Sequence, residues 1–228
     1  MELVILTLVG LAVVTLSFLV LRDFWRKYLQ RKRTRLIDNY TFPVTIQKKL
    51  LETYPHLSEQ QVALVMKGLK EYFQVCNLAG KRMVAMPSQA VDVVWHEFIL
   101  FTRQYEKFCK DSLGRFLHHT PAEAMKSQTV AQEGIKTAWR LACVREDIPP
   151  KRAYRLPLLF ALDAQLEIPD GFHYSLNCRN SSNGNDPVAD HYCAAHIGCG
   201  SGCAGGSDSD SGSSGCVGGD SSGCGGGD

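Results

Sequence analysis

The apolar and polar positions divide the chain into three unlike stretches. From Leu3 to Leu21 the sequence reads LVILTLVGLAVVTLSFLVL, with no charge and only Thr7, Thr15 and Ser17 polar. At 1.5 Å per residue this predicts roughly 28 Å of helix, just enough to span a hydrocarbon core. From about Thr41 onward the pattern changes to helical periodicity, with apolar residues recurring three and four apart. Beyond Arg179 apolar positions become sparse and the periodicity is lost.

In the middle stretch, Ser58 followed by Gln61 has the spacing of a capping box. Val62, Val65, Met66, Leu69, Tyr72 and Phe73 then predict a helix to about Val75, broken by Asn77 to Gly80. Met83 to Met86 reads as extended, and Pro87-Ser88 opens a long helix whose stripe is Val91, Trp95, Phe98, Thr102, Tyr105 and Cys109. Thr120-Pro121-Ala122-Glu123 supplies an N-cap, a Pro at the first helical position and a Glu at the third. It starts a helical stretch that runs, with a break at Gly134, to about Arg145. Leu156 to Leu166 is a short apolar helix, and Pro169-Asp170-Gly171 is a turn. No run of strands is long enough to build a sheet of any size.

Composition changes the picture mainly through its placement. The net charge is only +2, but Arg22 to Arg35 carries seven basic residues against Asp23, directly after the apolar helix. Such a cluster fits anionic lipid headgroups better than nucleic acid, which is not an expected partner. Trp25 and Tyr28 lie where an aromatic belt would sit, and the Lys/Arg excess places Met1 outside and the bulk of the chain in the cytoplasm. A cleaved signal peptide fits less well, because no positive charge precedes the apolar run and no small-x-small site follows it. The nine cysteines are an odd number, and Cys76, Cys109, Cys143 and Cys178 are scattered singly, unlike a disulfide framework.

The expected architecture is mainly α, with an N-terminal single transmembrane helix (1–21), a basic juxtamembrane segment (22–40), a small helical domain (41–175) and a disordered Gly/Ser/Cys tail (176–228). Its expected place is the cell membrane, a bacterial inner membrane, held through residues 3–21 with headgroups on 22–35. A protein partner is a further expectation. The tail has too little apolar surface to offset its chain entropy. Its Cys193, His196, Cys199 and Cys203 are near enough in sequence to hold a soft metal, although their spacing matches no common closed zinc pattern.

The densest chemistry lies in Val91 to Pro121, VDVVWHEFILFTRQYEKFCKDSLGRFLHHTP. Val91-Asp92, Trp95-His96, Thr102, Tyr105 and Phe108-Cys109 are followed by Gly114-Arg115-Phe116, His118-His119 and Pro121. This motif resembles the glycine-rich domain-containing protein-like family of bacteria and plants. The resemblance extends over about Met86 to Leu166 and includes the LPLLFALD segment and the Gly/Cys-rich C-terminus. It implies a domain type and no particular reaction.

Asp92 and His96 lie four apart, which on a helix places them on one face, with Cβ atoms about 5 to 6 Å apart. That spacing suits two metal ligands or a carboxylate orienting an imidazole. The chain after Lys110 can bring one of His118 or His119 back to them, completing a set for a divalent metal, zinc being the expected ion. The other histidine of the pair should face away, since neighbours point in different directions. Cys109, about 20 Å further along a straight helix, should not share that metal. Trp95, Tyr105, Cys109 and Arg115 are the motif's core, with Arg115 a partner for an anion or for a carboxylate such as Asp92 or Glu97. Three readings stay open: a metal-binding module, a metal-dependent enzyme with Glu97 as a conceivable base, and a structural or partner-binding scaffold in which the same groups only hydrogen-bond.

Overall fold

A computed structural model of the protein describes residues 1–119, 128–176, 192, 193 and 197; the side chains of residues 3, 4, 6, 8, 128–131, 192 and 193 are not among those described. The described residues form α1 (Glu2–Asp38), α2 (Val44–Thr53), α3 (Glu59–Ala79), α4 (Gln89–Leu100), α5 (Thr102–Phe108), a π-helical turn (Cys109–Leu113), α6 (Gln128–Arg145), α7 (Leu158–Gln165) and the two-residue strands β1 (Tyr174–Ser175) and β2 (Tyr192–Cys193). The strands pair in parallel, Tyr174 with Tyr192 and Ser175 with Cys193.

The expected single-pass anchor is overturned. Among the described residues no helix is long and apolar enough to cross a membrane. The apolar residues of 3–21 belong to one unbroken helix of 37 residues whose second half is basic. The single-pass membrane placement, with Met1 outside, is therefore not supported. The far end of α1 instead belongs to the globular part: Ile37 is fully buried.

The central element is α3, which touches α1, α2, α4, α6, α7 and the π turn. Ser58 caps it by accepting from the Gln61 backbone N–H while the Gln61 side chain accepts from the Ser58 N–H, a reciprocal box. The helix continues through Asn77 to Ala79, beyond the expected break, and ends at Gly80, whose φ of 63° only glycine adopts cheaply. It is buried on nearly every side, so its polar residues need partners. Gln74 donates to the Thr34 carbonyl (3.0 Å) and to Asp38 Oδ1 (2.7 Å), fastening α3 to the end of α1.

Around α3 the core is aromatic. Phe73 meets Phe108 at 4.7 Å between ring centroids, and Phe42 meets Phe98 edge-on at 5.1 Å, geometries that add to plain area burial. The helix expected to run from Ser88 through Cys109 is in fact broken at Phe101 (ψ 57°), giving α4 and α5. α6 passes Gly134 without the expected break, and the glycine there serves packing: Ala85 lies 3.1 Å from where an added Cβ would be. The expected helix start at Thr120-Pro121-Ala122-Glu123 lies outside the described residues.

Candidate metal centre

The site is built on α4, whose orientation is set from its N-terminus. Ser88 caps the helix by accepting from the Val91 N–H, and Asp163 of α7 supplies a buried carboxylate to the same end. Asp163 accepts from Ser88 Oγ (2.6 Å), the Gln89 N–H (2.6 Å), the Ala90 N–H (3.3 Å) and, from the chain after α7, the Phe172 N–H (3.0 Å). A carboxylate there satisfies otherwise unpaired donors and complements the positive end of the helix. With α4 so held, Val91, Val94, Trp95 and Phe98 are buried, and Asp92 and His96 lie along its flank.

The third group comes from the returning chain. After α5 the π turn and Gly114 (φ 69°) reverse its direction. Trp95 donates its indole N–H to the Tyr105 hydroxyl (3.1 Å), which donates to the Leu117 carbonyl (2.5 Å). The next residues alternate as extended chain does: Phe116 exposed, Leu117 buried, His118 exposed, His119 half-buried. His119 therefore turns inward, its ring 4.6 Å from that of Trp95. His118 turns outward against Phe116, at 4.8 Å.

Asp92, His96 and His119 form a closed triangle. His119 Nε2 lies 3.0 Å from Asp92 Oδ1, His96 Nδ1 lies 3.5 Å from Asp92 Oδ2, and His96 Nε2 lies 3.3 Å from His119 Nδ1. Two neutral imidazoles carry one N–H each, so they supply two protons for three contacts. A third ring proton, or a cation shared by the three, would make up that shortfall. One ligand atom from each residue can be chosen so that all lie within 4.8 Å of one another. Ligands bonded to zinc at about 2.0 to 2.2 Å are separated by roughly 3.3 to 3.6 Å in a tetrahedron. Binding thus requires shifts on the order of 1 Å, and the exposed His96 ring has room for them.

The remaining expected residues are placed as follows. Cys109 is fully buried beneath the site, and burial pushes its thiol above the usual range, against the pull of the Leu117 backbone and Tyr105. It takes no part in the triangle. Glu97 lies on the other flank, where its charge acts with that of Glu52, the larger influence, on Lys49 of α2. Arg115 makes no hydrogen bond or ion pair among the described residues and lines an open cleft of about 210 Å³ beside His119. The role of Asp163 was missed in the sequence, where it looked like one polar residue in an apolar helix. The tail set, the side chain of Cys193 with His196, Cys199 and Cys203, lies outside the described residues.

No curated protein and no solved structure matches the chain. A family model does, across residues 32–197, a span that takes in the end of α1, the triangle and Asp163. By that match the chain belongs to the UCP032817-like family.

Proposed function

We propose that the protein is a metal-binding helical module in which Asp92, His96 and His119 hold one divalent cation, zinc by preference. The observation that carries this reading is the convergence of two imidazoles and a carboxylate from separate segments on one point, all ligand atoms within 4.8 Å. Three protein ligands of this kind leave a coordination position open, the arrangement of reactive rather than purely structural zinc sites. Asp92 and His119 are both half-buried, so a metal can reach the carboxylate in place of the ring proton that it now accepts. The motif from Trp95-His96 to His118-His119 we read as that of the glycine-rich domain-containing protein-like family, which adds a domain type to this reading.

The test is elemental analysis of the full-length protein, purified under reducing conditions and dialysed against zinc, beside His96→Ala and Asp92→Asn. One zinc per chain in the parent and a marked loss in both variants is the expected result. Retention of full stoichiometry in both variants, or no uptake by folded parent protein, overturns the reading. His96 is exposed, so its truncation leaves the fold intact and isolates the ligand role.

A further inference from the structure

The cleft beside the triangle has a composition that the metal reading does not require. Its wall brings Lys81 and Arg82 from the turn after α3 together with Arg115, His118 and His119 from the returning chain, over a floor that includes Trp95. Among the described residues no Asp or Glu lines it; the described carboxylate of the site, Asp92, is engaged by the two histidines. Lys81 and Arg115 make no hydrogen bond or ion pair among the described residues, whereas Arg82 spends one N–H on the Ala79 carbonyl (3.3 Å). Arg115 is half-buried, and its charge reaches the cleft floor. Burial pushes the Cys76 thiol up to about 12, while a Tyr72 hydrogen bond and then the Arg115 charge pull it the other way. A half-buried guanidinium without a partner is costly unless a ligand supplies one.

The charge count selects the ligand. Lys81, Arg82 and Arg115 bring three positive charges, and a divalent metal balanced by Asp92 adds one more. Such a surplus matches a dianion better than a single carboxylate. The cavity, about 210 Å³, is smaller than the roughly 300 to 1,000 Å³ of sites for drug-sized ligands. It holds a compact group and leaves the rest of any larger molecule outside.

We propose that this cleft binds a phosphate group, free or as the end of a small monoester, with one oxygen on the metal and the others on Arg115 and Lys81. The proposal rests on the metal reading for its first contact and on the cationic wall for the rest. Phosphate fits the guanidinium fork and can at the same time reach a neighbouring cation, which a planar carboxylate does less fully.

The experiment uses full-length protein loaded with cobalt(II), its metal content measured first. Inorganic phosphate, phenyl phosphate and acetate are then titrated by equilibrium dialysis and by the visible band of the bound cobalt. The expected result is binding of one phosphate with a change in the cobalt band, weaker binding of acetate, and at least a tenfold loss in Lys81→Gln and Arg115→Gln with metal content unchanged. Phenyl phosphate binding as well as the free ion identifies a monoester end; binding of the free ion alone identifies phosphate itself. Cobalt-loaded protein that binds neither, or variants that bind as well as the parent, overturns the proposal and leaves the metal reading standing. If the protein retains neither cobalt nor zinc, the metal reading fails. Phosphate binding that is still lost in the variants then upholds the cationic wall, and no binding overturns both. Lys81 is exposed on the rim, so its variant carries the test if Arg115→Gln does not fold.

Discussion

The Trp95 indole N–H meets the Tyr105 hydroxyl at 3.1 Å although the two residues lie ten apart on what reads as one helix. On a straight helix their Cα atoms would be about 15 Å apart along the axis. The break at Phe101 folds α5 back, and the same hydroxyl then reaches the Leu117 carbonyl, two residues before His119. Tyr105→Phe should therefore cost about 1 to 3 kcal/mol, the loss expected when buried partners are left unpaired. It should also weaken metal binding, because the Leu117 tether is gone. Urea unfolding and a zinc titration on one preparation check both; an unchanged midpoint would show that the hydroxyl carries neither bond.

Asp163 is the carboxylate on which three segments depend. Asp163→Asn replaces one acceptor oxygen by an N–H group facing N–H donors of α4 or Phe172, inside a site that is only 1% exposed. A loss of roughly 3 to 5 kcal/mol is expected, in the range for removing one partner of a buried charged network. Chemical denaturation measures it, and a loss under about 1 kcal/mol would mean the donors find other partners.

Gly114 sits beneath the Arg33 guanidinium, with an added Cβ only 1.9 Å from Arg33 Nη2, and its φ of 69° is itself unfavourable for a side chain. Gly114→Ala should destabilise by about 1 to 2 kcal/mol from backbone strain, plus whatever it costs to displace Arg33. On an Arg33→Ala background only the strain should remain. A double-mutant cycle by thermal denaturation separates the two, and equal costs on both backgrounds would rule out the contact.

Alkaline pH should unfold the protein early. Burial pushes the Cys76 and Cys143 thiols from an ordinary value of 9.0 up to about 12, and it raises the Tyr72 and Tyr105 hydroxyls as well. The folded state therefore holds these protons more tightly than the unfolded chain does. That contribution is complete below about pH 9 and is lost as pH rises towards 12. Melting temperatures from pH 8 upward should fall across this window; a flat profile would contradict the burial of these groups.

Zinc should stabilise the fold through mass action. At free metal about 100 times the dissociation constant, the gain is about 2.7 kcal/mol for a single site. The rise in melting temperature should disappear in His96→Ala. A rise of the same size in that variant would place the metal elsewhere, the tail included.

What could be read from the sequence followed how local each feature is. The Ser58–Gln61 cap needs only adjacent residues, and the Asp92–His96 pairing needs only helical spacing. The break at Phe101 gives no such signal, since apolar periodicity runs through Phe98, Thr102 and Tyr105 with no Gly or Pro to mark it. The choice of His119 over His118 depends on the chain being extended after Gly114, and the Leu117/His119 alternation was the cue available for it. The apolar start of the chain, with its basic flank and Trp25 and Tyr28, pointed to a membrane anchor because composition carries no sign of the contacts made at the far end of the same helix. The structure continues the same helix through the basic segment to Ile37, which is buried.

Because a carboxylate from α7 organises the start of α4, the histidine motif is not portable. A peptide spanning the motif, or a graft of it onto another helical scaffold, would carry the ligands without the group that orients their helix. The heritable unit of this site is accordingly the whole bundle from α1 to the chain after α7, and a relative that kept the two histidines but lost Asp163 would keep the motif's spelling without its geometry.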